Sequence, residues 1–245
     1  MRLSGTYRRR FNGRSGQSGQ PPLNGNEKIL KTLWAGIVLL SFCFSVLPCS
    51  AAVRSYNGNR GLFGSHEIRS NNLSLFPQWQ RALNRSLEEA GTEKAECSAE
   101  NRKGCLHRDW MGALEALRGK DRLEQIQGIN RMVNARPYVR DAVNYGVSDH
   151  WATLNEFLSL NGDCEDYAIA KYFALRTLGF SPDSMRIVVL KDLSRRTTHS
   201  VLVVYLGDRA LVLDNQLRAV VDARSIRHYQ AVYAVNERHW WLYTP

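Results

Sequence analysis

One change of texture divides this sequence at Gly179. Before it, apolar residues recur at the three- and four-residue spacing of amphipathic helices. After it they gather in short β-branched and aliphatic runs, such as RIVVL and HSVLVVYL. Helices followed by strands, with no alternation between them, predict an α+β fold with an antiparallel sheet.

The helical part predicts segments over Trp79–Ala90 and Arg108–Arg118. A third covers Asp121–Asn134, where Leu123, Ile126, Ile129, Met132 and Val133 share a face and Pro137 follows as a stop. Thr153 and Glu156 have the spacing of a capping box for a short helix ending near Leu160. Asn161–Gly162 is then a turn, Asp163 a cap, and Cys164–Leu178 a helix that Gly179 ends. The expected strands are Arg186–Leu190, His199–Leu206, Arg209–Leu213 and Ala231–Val235, with Gly207–Asp208 as a two-residue hairpin turn.

The formal net charge is +10, but it is unevenly placed. Residues 1–31 hold Arg2, Arg8, Arg9, Arg10, Arg14, Lys28 and Lys31 against Glu27 alone. The remainder is close to balance and has no basic run interleaved with aromatics, which speaks against nucleic-acid binding. The basic stretch leads into an uncharged apolar run, Leu33–Leu47, followed by Cys49, Ser50, Ala51 and Ala52. Basic flank, short apolar run and small-residue exit are the pattern of a signal peptide, with an uncleaved signal anchor as the alternative. Residues 1–52 are thus a targeting segment. Residues 53–76, rich in Gly, Asn and Arg over most of their length, read as a flexible leader. Residues 77–245 form the domain.

Export favours disulfides. Cys43 and Cys49 belong to the targeting segment, and Cys97 and Cys105 are close enough for a local bridge. Cys164 is left over, and an unpaired thiol in a secreted protein invites a reason. Its place in the first turn of a helix supplies one. Free N–H groups and the helix dipole favour thiolate there and can bind an oxyanion. Against this stand Asp163, Glu165 and Asp166, whose charges raise a neighbouring thiol's pKa. A bound Ca²⁺ would neutralise them; alternatively, they only suit a helix start.

Of six histidines, only His199 begins a strong strand. With Gly207–Asp208 as the turn, Val201 faces Asp214, so His199 and Asp214 are diagonal neighbours on one face, about 7 Å apart at Cβ. That spacing lets a carboxylate orient an imidazole that takes a proton from a thiol. Trp240, Trp241 and Tyr243 read as packing residues; for Trp151, cleft lining and core packing are both open.

The stretch NGDCEDYAIAKYFALRTLGF, followed by THSVLVV and LVLDNQ and preceded by YGVSDHWATLNEFL, resembles the bacterial transglutaminase-like cysteine peptidases, whose best-known members are the LapG-type periplasmic proteases. The resemblance runs from about Gly128 to Tyr233. It implies a papain/transglutaminase-like fold, a Cys164–His199–Asp214 triad, and Ca²⁺ held by Asp163, Glu165 and Asp166. It also implies a protein substrate such as a large surface adhesin, an inner-membrane cyclic di-GMP receptor as partner, and a periplasmic location. Cys97 and Cys105 are similar to a pair found in one branch of the family. The expected activity is peptide hydrolysis. The same triad also serves a transglutaminase or deamidase, and a non-enzymatic Ca²⁺-dependent adaptor is the remaining class.

Overall fold

The computed structural model describes residues 61–91, 97–99 and 101–245. The targeting segment expected over residues 1–52 lies outside them, as do residues 53–60 of the leader. No helix among the described residues is long and apolar enough to cross a membrane.

Among the described residues, six α-helices precede all but the first strand: α1 (Pro77–Gly91), α2 (Arg102–Arg118), α3 (Arg122–Asn134), α4 (Asp141–Asn144), α5 (Leu154–Leu160) and α6 (Cys164–Thr177). The strands are β1 (His66–Ser70), β2 (Met185–Asp192), β3 (Thr197–Leu206), β4 (Arg209–Leu213), β5 (Val221–Asp222), β6 (Tyr229–Val235) and β7 (Trp240–Thr244). They form one antiparallel sheet in the order β1-β7-β6-β2-β3-β4-β5. The α+β architecture is the one the change of texture dictates.

The runs in β2, β3 and β4 are continuously apolar because both sheet faces are covered. Ile187, Val189, Leu202, Val204, Leu211 and Leu213 pack beneath the helices, against Trp79, Ile129, Ile169 and Tyr172. Val188, Leu190, Val201, Val203 and Val212 face the other way and meet Leu62, Ile226 and Tyr229. Trp151 belongs to the helical core, its ring 6.4 Å from that of Trp79. Trp241 and Tyr243 are buried in the second cluster, and Trp240 packs against the first.

The leader is corrected over residues 61–76. Leu62 is fully buried, and His66–Ser70 pairs with β7 from His66↔Thr244 to Ser70↔Trp240. The strand escapes a sequence reading because HEIRS is short, polar and almost wholly exposed. Only the β7 edge recruits it. Helix α2 begins six residues before the expected Arg108, where the Asn101 side chain accepts from the Gly104 N–H at 3.1 Å. Cys97 and Cys105 are joined as a disulfide at this helix start.

Candidate active site

Helix α6 begins at Cys164 because the chain before it cannot stay helical. Asn161 has φ 62°, and Gly162 is packed so closely on Asp166 that a side chain there would overlap the carboxylate. Asp166, in the first turn, accepts from the Asp163 N–H at 3.1 Å and from the Ala152 N–H at 2.7 Å. One buried carboxylate thus fixes both the helix start and the loop crossing in front of it. Tyr138 forms an isolated parallel bridge with Gly162, with Val139 N–H bonded to the Gly162 carbonyl at 2.9 Å.

The thiol of Cys164 is partly buried. It donates to Glu165 Oε2 at 3.1 Å and lies within reach of the Ser200 N–H on β3. Burial pushes its pKa far up, and the Glu165 carboxylate adds to this, while the Ser200 N–H pulls the other way. Burial and the acids beside it together therefore hold the thiol protonated.

The β3–β4 hairpin has the register read from its turn, from Leu206↔Arg209 to Leu202↔Leu213. Asp214 follows the last β4 residue, and the His199 Nε2 lies 2.9 Å from its Oδ1. Both side chains are out of contact with water. The second carboxylate oxygen accepts from the Tyr229 hydroxyl at 2.6 Å, and Oδ1 also accepts from the Gln216 N–H at 2.8 Å. Asn134 on α3 donates to the Asp214 carbonyl at 2.8 Å and the Leu217 carbonyl at 3.1 Å, pinning the loop to the helical layer. Burial alone would raise the Asp214 pKa; the bond to His199, its charge and the Tyr229 hydroxyl override that, and the carboxyl falls below its ordinary value. The Gln216 amide nitrogen lies 3.4 Å from His199 Nδ1. With Nε2–H donated to Asp214, Nδ1 is left as the acceptor, the state a proton-accepting base needs.

Asp163, Glu165 and Asp166 do not share one ligand group among the described residues: Asp163 meets Glu165 in one and Asp166 in another, and two acids that a reading of the motif misses, Asp141 and Asp149, join them. Three overlapping groups have ligand atoms within 4.8 Å of one another: Asp163 with Cys164 and Glu165, Asp141 with Asp149 and Glu165, and Asp141 with Asp163 and Asp166. Burial raises Glu165 to about 8, with the Asp163 charge adding to it. Burial raises Asp166 to about 9, opposed by the Ala152 N–H and reinforced by Glu165 and Asp163. The Oδ1 atoms of Asp141 and Asp163 are buried and have no hydrogen-bond partner among the described residues. Crowded carboxylates with orphaned oxygens suit a hard divalent cation. Asp149 stands within YGVSDHW, a stretch of the resemblance outside the triad and its flanking acids; nothing in its spacing marks Asp141.

Tyr229, Gln216 and Asn134 are the other residues the sequence did not single out. Each touches Asp214 or His199 from an element whose placement depends on the finished sheet. Gln216 alone left a trace, as the end of LVLDNQ.

A family model described as bacterial transglutaminase-like cysteine proteinase matches residues 92–242. No curated protein sequence matches the chain. Among solved structures, LapG from Legionella pneumophila is 26% identical, with a TM-score of 0.53, covering 66% of this chain and 87% of that one. Its calcium-bound form is 27% identical with a TM-score of 0.53, covering 64% and 84%. An EGTA-treated form is 26% identical with a TM-score of 0.54, covering 67% and 87%. Matched by this family model over residues 92–242, and similar in fold to LapG, the chain is a cysteine peptidase of the bacterial transglutaminase-like cysteine proteinase family.

Proposed function

We propose that the chain is an exported, calcium-dependent cysteine endopeptidase in which Cys164 is the nucleophile, His199 the general base and Asp214 the group that orients the base. The observation that carries this reading is the buried 2.9 Å contact between His199 Nε2 and Asp214 Oδ1, with His199 on the same strand, β3, as the Ser200 N–H within reach of the Cys164 sulfur. In the reaction, His199 Nδ1 takes the thiol proton and the thiolate adds to a peptide carbonyl. N–H groups at the start of α6 face the developing oxyanion. His199 then gives its proton to the leaving amine as the C–N bond breaks. Water, deprotonated by the same imidazole, hydrolyses the thioester and restores the thiol.

Asp163, Glu165 and Asp166, with Asp141 and Asp149, would hold the calcium ion. The ion supplies positive charge that offsets the carboxylates beside the thiol. Glu165 then no longer holds the Cys164 proton, and the helix N-terminus can act on the sulfur. LapG of L. pneumophila has been solved with calcium, which supports the same cation here.

The apolar run Leu33–Leu47 supports export to the periplasm. By its likeness to the LapG-type proteases, the protein substrate is a large surface adhesin and the regulatory partner an inner-membrane cyclic di-GMP receptor. The test is to incubate the full chain, as wild type and Cys164→Ala, with peptides rich in dialanine sites, the kind of site that likeness to the LapG-type proteases implies, in calcium or in EGTA. Internal cleavage by the wild type in calcium alone is the expected result. Amine incorporation or glutamine deamidation without cleavage would replace hydrolysis by acyl transfer.

A further inference from the structure

Between α4 and α5 the chain passes the acidic cluster as a short strap, residues 149–152. Asp149 contributes its own carboxylate to the cluster. The His150 N–H donates to Asp141 Oδ2 at 2.5 Å, and the Ala152 N–H to Asp166 Oδ1 at 2.7 Å. The Trp151 indole N–H turns back to Asp149 Oδ1 at 3.1 Å. Where the strap lies thus decides where these acids point. It belongs to no helix or strand, so its place comes from what it is tied to.

Those ties come from α1. Arg85 Nη2 donates to the Trp151 carbonyl at 2.8 Å and to Glu156 Oε2 at 3.2 Å. Glu156 is the capping-box acid of α5 and accepts from the Thr153 N–H at 2.7 Å, so Arg85 also joins the strap to that helix. Gln78 Nε2 donates to Asp149 Oδ2 at 2.5 Å. Gln78 and Arg85 are about two turns apart on one face of α1. Between them Trp79 is fully buried, with its ring 6.4 Å from that of Trp151 and its indole N–H donated to the Asn236 carbonyl at 2.9 Å. Helix α1 is therefore anchored in the core and grips the strap at two points. Both gripping residues precede residue 92, where the match to the family model begins.

We propose that Gln78 and Arg85 are positioning residues for the calcium site: through them α1 holds the 149–152 strap, and with it the carboxylates of Asp149, Asp141 and Asp166, in place before the ion arrives. This rests on the calcium reading above. A carboxylate has about four lone-pair sites on its two oxygens, so these hydrogen bonds leave room for a cation. Ligands already held in place lose less freedom on binding, and such outer partners are typically worth about 10- to 100-fold in metal affinity. Charge and position have opposite signs at Arg85. As a cation tied to the strap it repels calcium, so by charge alone its removal tightens binding. As a positioning residue its removal weakens binding.

The test is calcium affinity, read by competition of the metal-free full chain with a fluorescent calcium chelator. Gln78→Leu and Arg85→Met should each raise the calcium Kd at least about tenfold. Arg85→Lys, which keeps the charge and a donor for the Trp151 carbonyl, should fall between wild type and Arg85→Met. Arg81→Ala, an exposed change on the same helix, should leave the Kd where it is. At saturating calcium every variant should alkylate at Cys164 at the wild-type rate, because the bound ion itself then holds the carboxylates. Folded Gln78→Leu and Arg85→Met with the wild-type Kd, or an Arg85→Met that binds calcium more tightly, would overturn the proposal. If Arg85→Met does not fold, Gln78→Leu decides alone, and a wild-type Kd there overturns it. A wild type that binds no calcium would instead reject the calcium reading itself, and the proposal with it.

Discussion

Gly162 and Asp166 are in such close contact that any Cβ at position 162 would overlap the Asp166 carboxylate. That carboxylate holds the Asp163 and Ala152 N–H groups, so the approach fixes where α6 starts and hence where the Cys164 sulfur lies. Gly162→Ala should therefore lose about 1–3 kcal/mol in urea unfolding. It should also lose activity at temperatures where it remains folded. Gly146→Ala, where a Cβ meets nothing within 4 Å but φ is +68°, serves as a control for backbone strain away from that carboxylate.

Asp214 accepts from three donors, and its replacement separates charge from shape. Asp214→Asn should keep the fold yet reduce kcat by about 10⁴-fold, because a carboxamide no longer selects the tautomer with the proton on Nε2. Tyr229→Phe removes one donor to the same carboxylate at 2.6 Å. It should destabilise by about 1.5–3 kcal/mol in chemical denaturation, with a much smaller effect on kcat.

The raised carboxylates set a pH dependence with a definite sign. In the unfolded chain Glu165 and Asp166 lose their protons near pH 4; in the folded, metal-free protein they do so at about 8 and about 9. Between those limits the folded state binds more protons, so its stability falls as pH rises. Melting temperatures in EGTA should decline from pH 5 to pH 9. Calcium should abolish the decline, because the ion takes the place of the protons, and its binding at pH 7 should release protons measurable in weakly buffered solution.

The bridge between Cys97 and Cys105 closes a short loop at the start of α2. Replacing both cysteines by serine should cost about 2–3 kcal/mol, the chain-entropy value for a loop of this length. Peptidase activity should be retained below the lowered melting temperature, since neither residue touches Cys164, His199 or Asp214.

What the sequence reveals and hides follows from the range of each interaction. The hairpin register, the Thr153–Glu156 capping box and the start of α6 depend on residues a few positions apart, and a single turn sequence decides them. The pairing of His199 with Asp214 is legible for the same reason, lying across a two-residue turn. Asp141, Tyr229 and Asn134 reach the site from separate elements, and only the finished fold brings them there. Strand β1 is hidden for a different reason: its residues are polar, and its conformation comes from the edge of β7.

The central claim is that the Cys164 thiol, held protonated beside Glu165, becomes a nucleophile when a cation compensates the acids around it and His199 is present to take its proton. Alkylation of Cys164 by iodoacetamide at pH 7, followed by intact mass, measures this without a substrate. Calcium should speed the reaction at least about tenfold over EGTA in the wild type, and the acceleration should be lost in His199→Ala. Equal rates with and without calcium, or an acceleration that survives in His199→Ala, would contradict the account.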